Sequence, residues 1–336
     1  MHRDLRKLPK AELHVHLDGS MRLKTIKQLA SALPEDRAFP KGFGFKKAVT
    51  PPARCSLPEF LQAFDVTAAV LQSAEALERA AYELCEDVHK ETVRYLEVRF
   101  APLLHVEQGL SPREVVQAVL RGLERGGEAF DMHTGLILCA LRDRPLEHSM
   151  EVAQLAAQFS SKGVVAFDLA GPERQHPPQI HREAIAMASA SGVHLTLHAG
   201  EGCCPEQIRA ALELGAERIG HGVYLYKDAA TEKQVAADKI ALEVCPTSNL
   251  QISGFMETYA DHPLKRYFDL GIPVTLNTDN RLMSNVTLTH EYEAVVKAFG
   301  LSNDDVHTLA RNSIDAAFAS DDVKDAVREE IDAFFA

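Results

Sequence analysis

The chain has 336 residues, of which 46% are hydrophobic and 25% charged, and its formal net charge is −12. This length is ample for a buried core and lies within the range of a single α/β barrel. The excess of acid, with no offsetting run of lysine and arginine, argues against a nucleic-acid partner, because phosphate neutralisation dominates that kind of affinity.

The first predicted strand carries two histidines on one face. It covers residues 12–18, ELHVHLD. Because side chains alternate along a strand, His14 and His16 point to the same side. The strand ends at Asp18 and Gly19, which together are typical of a turn. Taken alone, the histidine pair is as compatible with a structural role as with a metal site.

The interval between the first and second strands is much longer than a usual crossover. Its segments SLPEFLQAFDVTAAVLQ and AEALERAAYELCEDVHKE have the periodicity of helices. We expect residues 34–92 to form a helical insertion on top of the barrel, acting as a lid over a substrate. One helical face of this insertion carries Leu57, Phe60, Leu61 and Phe64. The same apolar stripe would also be explained by ordinary core packing.

Seven further apolar runs follow the first, and amphipathic stretches separate them. The eight predicted strands are ELHVHLD (12–18), VRYLEVRF (93–100), TGLILCAL (134–141), VVAFDLAG (164–171), HLTLHAGE (194–201), RIGHG (218–222), ALEVCPTSN (241–249) and PVTLNTDN (273–280). Strands alternating with helices predict βαβ units and a parallel sheet. Eight such units predict an α/β fold, a closed (β/α)8 barrel of the TIM type, as one domain over residues 1–336. The region from Val286 onward is predicted to add C-terminal helices.

Polar residues stand at the ends of several of these strands. They are Asp18 after the first, Gly171 after the fourth, His198 and Glu201 at the fifth, His221 at the sixth, and Asp279 and Asn280 at the eighth. In an α/β barrel these strand ends converge on one face, where active sites are built. Three histidines and an aspartate suit zinc. Each residue alone has an ordinary structural explanation, but their joint placement favours a shared site.

Two features of the sequence bear on its compartment. The first ten residues, MHRDLRKLPK, lack the apolar core of a signal peptide, and no apolar run is long enough to cross a bilayer. None of the six cysteines forms a C-x-x-C pair, which favours reduced thiols. We expect a cytoplasmic protein with no membrane partner.

Six motifs together resemble the adenosine deaminases of the metal-dependent amidohydrolase superfamily. They are ELHVHLDGS, DLAGPE, LHAGE, RIGHG, LEVCPTSN and LNTDN, and their order follows that of the family over nearly the whole chain. The resemblance implies a hydrolase of purine metabolism with one zinc per chain and a small purine nucleoside as substrate. It would deaminate adenosine, and 2′-deoxyadenosine, to the inosine product and ammonia in purine salvage.

The resemblance also implies a role for each matching residue. The implied zinc ligands are His14, His16, His198 and Asp279. Glu201 would protonate purine N1, and His221 would take a proton from the zinc-bound water and steady the developing negative oxygen. The implied substrate contacts are His16, Asp18 to a ribose hydroxyl, the Gly171 backbone N–H to purine N3, and Asn280 to purine N7.

Asn280 is the one departure from the family pattern. The family usually has a second aspartate at this position, which hydrogen-bonds purine N7. N7 is an acceptor, and an asparagine amide donates while neutral, whereas an aspartate donates only when protonated. The substitution is therefore compatible with N7 recognition.

Two other activities remain open within the superfamily. The first is deamination of adenine or of another modified purine nucleoside. Relatives that act on free adenine tend to have glutamate in place of Asp18, which favours a nucleoside here. The second is a different single-metal amidohydrolase reaction. Enzymes with two metals often carry a bridging lysine on the fourth strand, and VVAFDLAG has none.

Overall fold

The computed structural model describes residues 3–252, 254 and 256–336. In this part of the chain, eight parallel strands follow one another in sequence order around the sheet. The strands are β1 (Lys10–His16), β2 (Val93–Phe100), β3 (His133–Leu141), β4 (Val164–Ala170), β5 (His194–Ala199), β6 (Arg218–His221), β7 (Ala241–Val244) and β8 (Val274–Leu276). Each predicted strand has a counterpart in the sheet, and the TIM-type barrel is confirmed. The prediction of strand over residues 246–249 was wrong, because β7 ends at Val244 and Pro246 is the first residue of a helix, a position that suits proline.

The barrel closes where the chain just after β8 meets β1. The backbone N–H of His16 donates to the carbonyl of Asp279 at 2.7 Å, and the N–H of Asp279 donates to the carbonyl of His14 at 2.9 Å. Lower down, the N–H of Leu13 donates to the side-chain oxygen of Asn277 at 2.8 Å. We call this junction the β1–β8 seam. Side chains replace part of the backbone pairing there.

Helices surround the sheet and follow most of its strands. They are α1 (Leu23–Ser31), α2 (Phe45–Ala48), α3 (Leu57–Leu61), α4 (Phe64–Val70), α5 (Ala74–His89), α6 (Pro112–Phe130), α7 (Leu146–Phe159), α8 (Arg182–Ala190), α9 (Pro205–Glu213), α10 (Ala229–Ala237), α11 (Pro246–Ile252), α12 (Leu264–Asp269), α13 (Leu288–Phe299), α14 (Asn303–Asp315) and α15 (Asp321–Phe335). The last three are the predicted C-terminal helices. None of these described helices is long and apolar enough to cross a membrane.

The long interval between β1 and β2 divides into two parts. Helices α3 and α4 lie near the C-terminal ends of the strands, whereas α5 packs against α6 in the outer ring. The single helix suggested by residues 56–72 is broken at Gln62 and Ala63. There, hydrogen bonds between residues three positions apart, such as that from Ala63 N–H to Phe60 C=O, replace the α-helical bonds between residues four positions apart. The lid function of this interval stays a prediction.

Helices α5 and α6 approach each other closely because α6 presents glycines to α5. A Cβ atom at Gly122 would overlap the backbone carbonyl of Glu78, and one at Gly126 would overlap Cys85. Helix α6 itself begins with a capping box in which Ser111 and Glu114 satisfy each other's backbone N–H groups. Helix α5 of this closely packed pair ends at His89, shortly before β2 begins at Val93.

The barrel interior contains a network of buried charges. Arg99 donates to Asp168 at 2.9 Å and to Glu243 at 2.7 Å. Arg218 donates to Glu243 at 2.7 Å and pairs with Glu97. Barrels of this type usually fill the interior with branched apolar side chains. Here the charged network occupies part of that interior. Apolar side chains of the strands, such as Leu96 and Val98 of β2, belong to the main hydrophobic core of the protein.

Candidate metal centre and active site

Four buried side chains converge at the C-terminal ends of the strands. His14 and His16 come from β1, His198 from β5, and Asp279 from the turn after β8, and their ligand atoms all lie within 4.8 Å of one another. The Nε2 atoms of His16 and His198 are 3.3 Å apart. Asp279 Oδ1 lies 3.3 Å from His16 Nε2 and 3.5 Å from His14 Nε2. The structure thus brings the four predicted ligands together.

Buried carboxylates orient two of these histidines. Glu243 lies 2.8 Å from His14 Nδ1, and Asp168 lies 2.8 Å from His198 Nδ1. Burial disfavours their ionised forms, but Arg99 and other cationic neighbours outweigh it and hold the pKa of both carboxyls well below its usual range. Ionised carboxylates accept from each Nδ1–H, so the Nε2 lone pairs of these histidines face the centre of the group.

The atoms that converge at this site are acceptors of the kind that a metal ion needs as ligands. The buried Nε2 of His14 has no hydrogen-bond partner among the described residues. Ser248 donates to Asp279 Oδ2 at 2.6 Å, which leaves Oδ1 directed at the histidines. Imidazole lone pairs and a carboxylate oxygen repel one another unless a cation lies between them. Three such nitrogens with one carboxylate oxygen are a donor set that suits zinc.

Backbone strain marks two residues of the site. Asp279 has a φ of 59° and His221 a φ of 65°, in the left-handed region that side-chain-bearing residues rarely adopt. Backbone hydrogen bonds to β1 hold Asp279 in place. Strain of this kind persists where the surrounding structure fixes a functional geometry.

A second buried group adjoins the first and shares Asp279 with it. Glu201 and His221 complete this group, and Glu201 Oε1 lies 3.6 Å from His221 Nε2. Burial, together with the negative charges of Asp279 and Glu173, raises the pKa of Glu201 well above its ordinary value. These surroundings favour the neutral carboxylic acid, which can donate a hydrogen bond.

The loop that carries Glu201 is held by another carboxylate. Glu173 accepts hydrogen bonds from three backbone N–H groups, those of Gly200 at 2.9 Å, Gly202 at 2.7 Å and Cys203 at 2.8 Å. Sequence reasoning did not assign a role to Glu173, although it stands inside the DLAGPE motif. It also missed Asp168, Glu243 and Arg99. Asp168 begins the DLAGPE motif and Glu243 stands in LEVCPTSN, whereas the signal for Arg99 was a charge within an apolar run.

A cavity of about 210 Å³ opens beside the metal ligands. Its lining includes His16, Asp18, Gly171, Leu61 and Phe64. The Phe64 ring stands edge-on to the His16 ring with their centres 6.0 Å apart. Of the four apolar residues predicted to form a lid, only these two line the cavity. Leu57 and Phe60 lie in an apolar cluster with Ile252 and Met283, against which Leu61 and Phe64 also pack.

The predicted substrate-binding residues occupy distinct positions around this cavity. Asp18 is buried in a short turn after β1, and burial raises its pKa to about 6. Gly171 follows β4 with a φ of 106°. Asn280 Oδ1 is buried without a hydrogen-bond partner in the described chain, and a Cβ atom at Gly19 would overlap it. The amide oxygen thus packs against Gly19, which leaves Nδ2 as the free end of Asn280.

Comparison with known proteins gives a consistent result over nearly the whole chain. The profile of the adenosine deaminase family matches residues 9–334. An adenosine deaminase of Clostridium acetobutylicum is 41% identical over 315 residues, which are 93% of this chain and 94% of the relative.

Solved structures with a similar fold include two deaminases. An adenine deaminase from Arthrobacter aurescens has a TM-score of 0.89 and 27% identity, covering 98% of this chain and 99% of its own. An N6-mAMP deaminase of arabidopsis has a TM-score of 0.88 and 30% identity, with the same coverage.

Proposed function

Because the chain belongs to the adenosine deaminase family, we propose that it hydrolyses adenosine and 2′-deoxyadenosine to inosine or 2′-deoxyinosine and ammonia. The observation that carries this proposal is the pair of adjoining buried groups that share Asp279. One group has the donor atoms for a metal, and the other holds an acid and an imidazole. Hydrolytic deamination of a purine needs a metal centre and an acid close to the same carbon atom of the ring.

The residues that would hold one zinc per chain are His14, His16, His198 and Asp279. Zinc, when bound, supplies a nucleophile derived from water at neutral pH. We expect about one equivalent of zinc to copurify with the protein. His14→Ala should lose both zinc and activity in elemental analysis and turnover assays, whereas a matched change at exposed His133 should lose neither. An active enzyme without bound metal would contradict this assignment.

Glu201 would supply the acid that the reaction requires. Attack on C6 disrupts the aromatic ring, and a proton delivered to N1 makes C6 electrophilic. Burial raises the pKa of Glu201, which supports a neutral carboxylic acid in the resting enzyme. The three N–H groups bound to Glu173 would keep the Glu201 loop in place while the purine changes its bonding.

The remaining residues of the cavity would orient the nucleoside. Asp18 would accept a hydrogen bond from a ribose hydroxyl, and the N–H of Gly171 would meet N3. Asn280 would donate from Nδ2 to N7. Leu61 and Phe64 would cover the purine and exclude water from the reaction.

The charges of the cavity favour a nucleoside over a nucleotide. Asp18, Asp65 and Asp143 line it, and Arg144 is the one cation among its lining residues. Carboxylates at a binding site disfavour a 5′-phosphate by like-charge repulsion. We therefore propose that the chain differs in substrate from the arabidopsis relative, which is an N6-mAMP deaminase by name.

One experiment tests the proposed activity. Purified protein is incubated with adenosine, 2′-deoxyadenosine, adenine or adenosine monophosphate, and ultraviolet absorbance and ammonia release are followed. We expect the two nucleosides to be deaminated with the highest kcat/KM. A preference for adenine or for the monophosphate would replace the nucleoside proposal with the corresponding alternative. Release of no ammonia from any of them would overturn the deaminase proposal.

We further propose a role in purine salvage in the cytoplasm. All six cysteines are free thiols, including the neighbouring Cys203 and Cys204, whose sulfur atoms are 3.0 Å apart. Free neighbouring thiols are typical of a reducing compartment. Fractionation of the native cells, with activity measured in each fraction, tests this placement.

A further inference from the structure

Three side chains connect a backbone N–H of helix α12 to the active site. The N–H of Leu264 donates to His262 Nδ1 at 3.0 Å. His262 Nε2 lies 3.1 Å from Asn249 Oδ1, and Asn249 Nδ2 lies 3.0 Å from His221 Nδ1. We call this chain of hydrogen bonds the His262–Asn249 relay.

The direction of every hydrogen bond in the relay follows from its first donor. A backbone N–H can only donate, so His262 Nδ1 must accept. A neutral imidazole has one lone pair and one N–H, so His262 Nε2 must donate to Asn249 Oδ1. The amide group of Asn249 then faces His221 with its N–H, and His221 Nδ1 must accept.

His262 is in the neutral form that this reasoning needs. Its side chain is buried, with 3% of the residue exposed. Burial lowers the pKa of His262 to about 3, so the ring carries no charge at neutral pH. Reversing the relay would require His262 to accept hydrogen bonds at both ring nitrogens, which a neutral imidazole cannot do.

We propose that Asn249 and His262 are positioning residues that fix His221 in the tautomer with its hydrogen on Nε2. His221 Nε2 is buried, has no hydrogen-bond partner in the described chain, and lies 3.6 Å from Glu201 Oε1. The relay therefore presents an N–H donor to the place where C6 of the purine would react.

This tautomer changes the role of His221 in the reaction. A neutral His221 with hydrogen on Nε2 has no lone pair there, so it does not accept a proton from water. It instead donates a hydrogen bond to the oxygen that becomes bonded to C6, and this bond strengthens as negative charge develops. The catalytic meaning of the relay rests on the proposed deaminase function, whereas the tautomer itself does not.

The tautomer can be read directly in the resting holoenzyme. Protein labelled with 15N-histidine is examined by two-bond proton–nitrogen correlation, which distinguishes a protonated Nδ1 from a protonated Nε2. Signals of His221 and His262 are assigned by their loss in His221→Asn and His262→Gln. We expect both rings of the wild-type protein to carry hydrogen on Nε2. Hydrogen on Nδ1 of His221 would overturn the proposal.

Asn249→Asp provides the matched perturbation, because the carboxylate is nearly isosteric but can only accept. It should accept from both rings and switch His221 to the tautomer with hydrogen on Nδ1. We expect kcat to fall by about 100-fold or more, as for other misdirected catalytic imidazoles, with zinc content unchanged. The control is Asn303→Asp in α14, which should leave the His221 spectrum and kcat as in wild type.

A second pair of variants separates positioning from simple support of the fold. His262→Gln retains an acceptor and a donor, so it should preserve the His221 tautomer and most of the activity. His262→Leu retains neither and should give mixed tautomers. Unchanged His221 signals in both Asn249→Asp and His262→Leu would overturn the proposal. These spectra need no substrate, so an absence of adenosine turnover would count against the deaminase proposal alone.

Discussion

Glu201 shows how one residue acquires its chemistry from its neighbours. Its carboxyl group is buried near two other acids, Glu173 and Asp279, and these surroundings raise its pKa. Glu173 is tied up by three backbone N–H groups, and Asp279 faces the histidines. Among these three acids, Glu201 is therefore the one suited to deliver a proton.

Glu201→Gln should separate proton delivery from binding. The amide keeps the size of the side chain but cannot donate a proton to N1. We expect kcat to fall by at least about 100-fold, the usual size of a general-acid effect, with zinc retained. The matched control is Glu206→Gln, because the Glu206 side chain is 66% exposed at the start of α9. Near-normal turnover of Glu201→Gln would remove this residue from the proposed mechanism.

Asn280 can be tested through the atom that it would recognise. An adenosine analogue with carbon in place of N7 leaves the buried amide donor unpaired, at a cost of about 1–3 kcal/mol. We expect the analogue to bind about 10- to 100-fold more weakly than adenosine in an inhibition assay. In Asn280→Ala the two compounds should bind alike. Equal affinity in the wild-type protein would show that Asn280 does not contact N7.

The residues of the site differ in how far the sequence could predict them. His14, His16, His198 and Asp279 were predictable because each lies at or near the C-terminal end of a strand, and the C-terminal ends of parallel strands meet at one face. Asp168, Glu243 and Arg99 are fully buried within the strands, although charged side chains are rarely buried unless they are paired. Their ion-pair partners stand on other strands, so the pairs form only in the closed barrel. The relay partners were not predicted either. Asn249 belongs to the run that the sequence predicted as the seventh strand but lies in helix α11, and His262 lies in the segment between α11 and α12.

At the level of elements, glycine placement controls how α5 and α6 pack. The sequence predicted both helices from their apolar periodicity. It did not predict their separation, which depends on the small residues of α6 that face α5. It also suggested one helix for residues 56–72, because the apolar spacing continues across the turn that separates α3 from α4.

Gly122→Ala should destabilise the protein although alanine is the better helix former. The gain in helix propensity is about 1 kcal/mol. The added methyl group would overlap the backbone of α5 at Glu78, and overpacking of this kind costs about 1–3 kcal/mol. We expect a net decrease of up to about 2 kcal/mol in the free energy of unfolding, measured with urea. Gly44→Ala, which meets only Lys47 Cβ at 3.9 Å, should have little effect.

On the scale of the whole molecule, the charged interior couples the site to the barrel. Arg99 from β2 joins Asp168 of β4 to Glu243 of β7, and each of those carboxylates orients a predicted zinc ligand. The eight-stranded architecture followed from the alternation of apolar and amphipathic segments. The ionic interior did not, because a sequence does not show which charged side chains point inward.

Arg99→Met should weaken both the fold and the predicted metal site. It leaves two buried carboxylates without their shared cation, a loss that typically costs about 3–5 kcal/mol. Urea denaturation of the metal-free protein measures this change, and competition with a chelator measures the accompanying loss of zinc affinity, about 10- to 100-fold. Arg94→Met on the same strand removes a partly exposed ion pair with Glu330, so it should change stability by less than about 1 kcal/mol.

The β1–β8 seam has a consequence for how the barrel opens. Only a short stretch of backbone pairing joins the first and last strands, and three of the four predicted ligands stand on its two sides. A cation held between His14, His16 and Asp279 would therefore act as a crosslink between the two ends of the sheet. Since the unfolded chain cannot assemble these ligands, metal occupancy would shift the opening equilibrium by mass action. The amide hydrogens of His16 and Asp279 would then exchange with solvent at a rate set by the free metal concentration.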